Sequence, residues 1–347
     1  MSPANPVILH SKNRHFRAWV DLNGGMLSRL CFFPHAAADA AASAVSITVQ
    51  GIDLLYRAPW LSDDYFSLPP NLEQHLAGEF ACVPFGWVSQ DNALLRTTTS
   101  HGLPCYGKWE VEAVSEAQDE VVLRFTFPDD YPLKHVVRAI ALGEEGVRWE
   151  LTVVARQKCS FPLGLHPIFP LGGAENELHL EIAGETLVYP QDCEPEVSRL
   201  VCGAEGVNLA HLPLKAEYQG RDGNGEYANG THLPWPYDTE EIVQMLKPQG
   251  RALLTYPRKG VKLTLLWDKE KLPCCLLWIS NRGRQHVPWC GRNCALGIEP
   301  IASAWDMADL SLLDDNPVRQ RGIKTNVTLQ PDVPFNVHYE LTVQALR

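Results

Sequence analysis

Four short strings hold the residues best suited to chemistry. In GLHPIFPL, His166 follows a partly apolar, strand-like run, and Pro167 forces extended geometry on it and ends regular pairing. That pattern predicts an imidazole at a strand end, facing a rim. In LGIEPIASAWD, Glu299 lies inside an apolar stretch, where a carboxylate loses hydration, its pKa rises and it can accept a proton near neutral pH. In TTTSHGLPCYGKWEV, His101 precedes Gly102, so the backbone can approach a ligand closely. In LPWPYDTEEI, Asp238 sits among prolines and aromatic residues. Each residue also has a structural reading: a rim histidine satisfied by backbone groups for His166, a carboxylate paired with Arg292 or another cation for Glu299, a turn cap for His101, and for Asp238 a cap on a helical turn in TEEIVQM.

The elements that must position these groups are strands. Trp109, Val111 and Ala113 alternate with Lys108, Glu110 and Glu112, and after SEAQDE the pattern continues through Val121, Leu123, Phe125 and Phe127, which predicts a hairpin. VRWELTVVA places Val147, Trp149, Leu151 and Val153 on one face, and GEEG turns it back onto RAIAL. Val261, Leu263, Leu265 and Trp267 alternate, as do Phe335, Val337, Tyr339, Leu341 and Val343. With 26 prolines and 25 glycines spread along the chain and little helical periodicity, the expectation is an all-β protein, a large antiparallel β-sandwich spanning 1–347 as one domain. AAADAAASAV at 36–45 reads as an inserted loop, and 203–241 as a long loop region.

Composition narrows the function. A hydrophobic share of 45% and a charged share of 20% suit a globular core, and a net charge of −11 opposes a nucleic-acid partner, which calls for a basic stripe. No window approaches the roughly 18 apolar residues of a membrane span, and the N-terminal residues lack the pattern of a secretory signal, so a cytoplasmic, membrane-free protein is expected. Ten scattered cysteines fit reduced thiols better than disulfides. Cys274, Cys275, Cys290 and Cys294 have no zinc-motif spacing, and adjacent strand residues point to opposite faces. RDGNGEYANGTH lacks the glycine and glutamate of a calcium loop, with Tyr227 and Leu233 in their places.

The HG step before a W-x-V strand at His101, the HP-x-F string at His166 and the apolar-Glu-Pro string at Glu299 resemble, in order and spacing, the aldose 1-epimerase (galactose mutarotase-like) family. The resemblance implies a supersandwich fold and interconversion of the α and β anomers of a free aldose by ring opening, with Glu299 as base on the C1 hydroxyl and His166 as acid toward the ring oxygen. It implies that His101 and Asp238 hold sugar hydroxyls, that the partner is a small-molecule sugar substrate of a monomeric or homodimeric protein, and that neither metal nor organic cofactor is needed. The family usually carries an arginine after a P-[WF]-x-G-like stretch. CVPFGWVSQDN has none after Phe85, which leaves Trp87 or Gln90 in its place or an unusual substrate. Trp87, Trp235 and Trp289 are candidates to stack on a sugar ring. The alternatives are epimerisation of a hexose 6-phosphate gripped by Lys108, Arg258 or Arg14, a non-catalytic sugar-binding protein, and a metal enzyme with His101, His166 and Glu299 as ligands.

Overall fold

The computed structural model describes residues 6–34, 51–63, 72–87, 100–206, 208–221 and 225–346, so the alanine-rich 36–45 stretch and Gln90 lie outside the described residues. The alternating segments form the strands their period demands. A nine-stranded antiparallel sheet runs His232–Leu233, Leu178–Ile182, Arg251–Tyr256, Val261–Trp267, Phe335–Ala345, Gly146–Ala155, Leu133–Leu142, Glu120–Thr126, Glu110–Val114. An eight-stranded antiparallel sheet runs Glu205–Gly206, Glu185–Val188, Thr239–Leu246, Cys274–Asn281, Cys294–Ala302, Leu163–Leu165, Ala81–Cys82, with Ile168–Pro170 also paired to Cys294–Ala302. A four-stranded sheet is built from Val7–His10, Phe16–Asp21, Met26–Phe32 and Ile52–Asp53. Among the described residues the one α-helix is Ala308–Leu312. None is long and apolar enough to cross a membrane.

The two large sheets face one continuous apolar cluster, to which Leu151, Val153, Leu263 and Leu341 contribute from one side and Val243, Met245, Leu277 and Ile298 from the other. Alternate residues of the eight-stranded sheet face outward into a second apolar cluster: Ile242, Leu246, Leu276 and Trp278 pack there with Trp60, Trp289 and Trp305. That second covering corrects the reading of TEEIVQM as a helical turn. Thr239–Leu246 is a strand buried along its whole length, and a strand covered on both faces loses the period-two signature. The Trp109–Ala113 alternation also fails to bury a full face. Trp109 is buried, but Glu110–Val114 is exposed throughout because it forms the sheet's last strand, with a bulge between Val111 and Ala113.

One ion pair is wholly enclosed. Arg138, from Leu133–Leu142, donates to the Glu79 carboxylate, to the Gly25 carbonyl and to the Tyr339 hydroxyl at 3.0 Å, and Tyr339 donates to Glu79 at 2.6 Å. The backbone of Glu79 pairs both ways with Leu27. The network therefore ties the nine-stranded sheet to the N-terminal sheet and to the segment that leads into Phe80. Removing one member leaves an uncompensated buried charge. Arg138→Leu is expected to cost about 3–5 kcal/mol of unfolding free energy in urea titrations, with much of it recovered when Glu79→Leu is added.

Candidate active site

His166 and Glu299 meet because of strand register. Leu163 pairs with Ala302 and Gly164 with Ile301; beyond the break, Ile168 pairs with Gly297 and Phe169 with Leu296. The same register carried through the break sets His166 directly opposite Glu299. The backbone N–H of His166 turns the other way and donates to the Phe80 carbonyl at 2.8 Å. The two residues thus form a non-hydrogen-bonded cross-strand pair, the kind that brings side chains closest. Nε2 of His166 lies 3.4 Å from Oε1 of Glu299. The expectation of a rim histidine is corrected: His166 is 5% exposed, inside the sheet, because the Pro167 interruption is flanked by short strands on both sides.

Space for the carboxylate comes from Gly297, where a Cβ would sit 2.3 Å from Glu299 Oε1. The Phe80 ring stacks on the His166 ring with centroids 4.5 Å apart, and His101 meets it edge-on at 5.1 Å. His101 stands at φ 63, and the next residue, Gly102, approaches the Val83 carbonyl so closely that a Cβ would lie 2.2 Å from its oxygen. That close approach matches the expectation for an HG step, although what it meets is backbone. Among the described residues no lysine or arginine pairs with Glu299; Arg292 pairs instead with Asp63 at 2.7 Å. Burial, helped by the nearby Asp306 charge, holds the Glu299 carboxyl well above the usual carboxylate range. Burial pushes His166 well below 6.5 and His101 down to about 4. Among the described residues, Glu299 Oε1 and Nδ1 of each histidine have no hydrogen-bond partner. Such groups are expensive to bury unless something else supplies the bonds.

These atoms border a cavity of about 120 Å³ whose described walls include Trp87, Ser100, Trp278, Arg284, Trp289 and Asp306. Trp87 is 59% exposed at its mouth. Glu240, buried in Thr239–Leu246, accepts from Trp278 Nε1 at 2.6 Å and from Ser280 Oγ at 2.7 Å, and holds Arg284 Nε at 3.1 Å. The Arg284 guanidinium lies 4.5 Å over the Trp289 ring. A buried strand acid therefore aims an arginine and an indole at the cavity.

Residues 85–198 match the family model described as aldose 1-epimerase. The whole fold agrees with solved structures: a putative aldose 1-epimerase from Escherichia coli K12 (TM-score 0.63, 16% identity, 98% of this chain and 99% of that one) and the GalM/aldose epimerase homologue from C. elegans (TM-score 0.60, 15% identity, 99% of each chain). A galactose mutarotase-like protein from Clostridium acetobutylicum aligns with TM-score 0.61 at 14% identity, over 96% of this chain and 93% of that one. No curated protein sequence matches. This chain resembles the aldose 1-epimerases.

Within this aldose-epimerase-like sandwich, His101, His166, Glu299 and Trp87 converge on one cavity, with Trp289 beside them. Asp238 does not join them. It is exposed and paired with Arg282 at 2.8 Å, because Thr239 begins the buried strand and leaves its predecessor outside. Trp235 is buried away from the cavity, its Nε1 donating to the Asn229 carbonyl at 2.8 Å. Sequence reading missed Trp278, Arg284 and Asp306. Asp306 belongs to the same string as Glu299, and Arg284 lies in the NRGRQ turn after a strand, but neither position has a periodic signal. Lys108, Arg258 and Arg14 are not among the described lining residues, and there no group of three His, Cys, Asp or Glu side chains is placed to hold a metal.

Glu299→Gln tests the dry carboxyl. The folded state keeps the Glu299 proton above pH 4.5, where the unfolded chain releases it, so wild-type stability falls as pH rises through that window. The variant has no such loss. Its melting temperature relative to wild type is expected to rise as pH increases above 4.5 in differential scanning calorimetry.

Proposed function

We propose that the protein is an aldose 1-epimerase, an isomerase that opens and recloses the ring of a free aldose through Glu299 and His166. The carrying observation is the cross-strand placement of one carboxyl and one imidazole, 3.4 Å apart, on the wall of a cavity. Ring opening needs a proton removed from the C1 hydroxyl and another delivered to the ring oxygen. A carboxylic acid beside a neutral imidazole, and a carboxylate beside an imidazolium, hold the same single proton. Glu299 as carboxylate takes the C1 proton while protonated His166 gives one to the ring oxygen, which leaves the neutral pair that burial favours. Rotation about the C1–C2 bond followed by the reverse transfers forms the other anomer and restores the starting state. His101, neutral at pH 7, and Trp87 at the mouth bind the sugar. The reaction consumes no electrons and leaves no group behind, so Glu299 and His166 carry every step.

An unphosphorylated substrate is favoured by charge. Glu73 and Asp306 stand on the described walls against one guanidinium, Arg284, which already lies between Glu240 at 3.1 Å and Glu194 at 3.5 Å. A phosphate dianion calls for a cation that is not already neutralised.

Polarimetry or NMR of anomer equilibration on a panel of aldoses and aldose phosphates tests the assignment. Glu299→Gln should lower kcat by at least about 10²-fold while the protein stays folded; unchanged turnover would remove Glu299 from its role. Gly297→Ala should also lower kcat, by displacing the carboxylate. With His166 held below its ordinary pKa and Glu299 above its own, the acid limb of kcat/KM should fall below pH 6.5, when a second proton enters the pair, and an alkaline limb should follow loss of the single shared proton.

A further inference from the structure

We infer that Asp306, rather than Asp238, is the carboxylate that accepts a hydrogen bond from a hydroxyl of the bound sugar, and that it thereby sets which aldoses enter. The inference rests on the aldose reading of the same cavity and adds the residue that reads the substrate's hydroxyl pattern.

Asp306 is held in place by the surrounding fold. Gln244, inside the buried Thr239–Leu246 strand, donates to the Ser303 carbonyl at 3.0 Å and accepts from the Trp305 backbone N–H at 2.5 Å. Trp305, at φ 49, turns the chain and donates its indole N–H to the Leu187 carbonyl at 3.2 Å. Next along the chain, the Asp306 carbonyl accepts from Trp87 N–H at 2.7 Å, and the Trp87 carbonyl accepts from Ala308 N–H at 2.9 Å. Gly86 lies against this junction with φ 82, and a Cβ there would come 2.2 Å from the Asp306 carbonyl oxygen. Strand, turn and mouth tryptophan are thus locked around one side chain.

That side chain lacks a partner on one side. Its carboxyl is paired with the Tyr189 hydroxyl, yet Oδ1, buried and on the cavity wall, has no hydrogen-bond partner among the described residues. Burial lifts the Asp306 carboxyl above the usual carboxylate range, while Tyr189 and, on the same wall, Arg284 favour its ionised form. A buried acceptor without a donor costs free energy in the empty protein, and a sugar hydroxyl is the donor that the proposed reaction brings in. Asp238, exposed and engaged with Arg282, offers nothing comparable.

Equilibration kinetics with the preferred aldose and its single-deoxy analogues, using the full chain, Asp306→Asn and Asp306→Ser, test the inference. In wild type one analogue should lose about 10–100-fold in kcat/KM, the range of a hydrogen bond to a charged group. Both variants should lose a similar factor on the parent sugar, mostly through KM, and should suffer no further loss on that one analogue. A variant that keeps the full wild-type penalty on every analogue overturns the assignment of Asp306, as does a wild type indifferent to every deoxygenation. Failure of wild type to bind or equilibrate any aldose overturns the aldose reading itself, and this inference with it.

Discussion

The site depends on a single register, in which the strand interrupted at Pro167 lies antiparallel to Cys294–Ala302 so that His166 and Glu299 fall opposite each other. The interruption does not displace the pairing, since the partners before and after it are in phase. Because side chains alternate across a sheet, a slip of one strand by one residue would send its member of the pair into the intersheet core and part the two groups. Phe80 and Leu276 flank the pair on the neighbouring strands and exclude water from it. Dryness and alignment therefore have one origin, and together they make the carboxyl a stronger base, and the imidazolium a stronger acid, than either is in water.

Around this pair the eight-stranded sheet carries polar side chains where a core strand is ordinarily apolar. Glu240, Glu241 and Gln244 are all buried, and each is bonded to something that matters locally. Glu240 holds Trp278 and Arg284, and Gln244 holds the turn that presents Asp306. Glu241 accepts from Thr239 Oγ1 at 2.6 Å and from the Arg199 backbone N–H at 2.5 Å, fixing the 199–200 segment to the sheet, and burial raises its pKa to about 7. A buried polar group with its bonds satisfied confers rigidity, and here that rigidity is spent on the outer layer that forms the cavity. The cavity as a whole is rich in acceptors and poor in free cations, a lining suited to hydroxyl groups.

The all-β class, the Val121–Phe127, Val147–Val153, Val261–Trp267 and Phe335–Val343 strands, and the desolvation of Glu299 were all legible in the sequence. Alternation reports one-sided burial directly, and a lone acid in an apolar stretch reports its own desolvation. Those are local properties, carried by neighbours along the chain. Which acid faces the cavity was not local. Asp238 and Asp306 both follow an aromatic residue in an otherwise apolar string, and only the start of the buried strand at Thr239 and the left-handed turn at Trp305 decide that the first points to solvent and the second inward. Arg284 and Trp278 were hidden for the same reason, since their direction is set by Glu240 on a neighbouring strand. Sequence fixes what each segment can form and which groups can ionise; tertiary structure decides which segments become neighbours, because contact between side chains far apart in the chain depends on strand order and register rather than on any residue's own type.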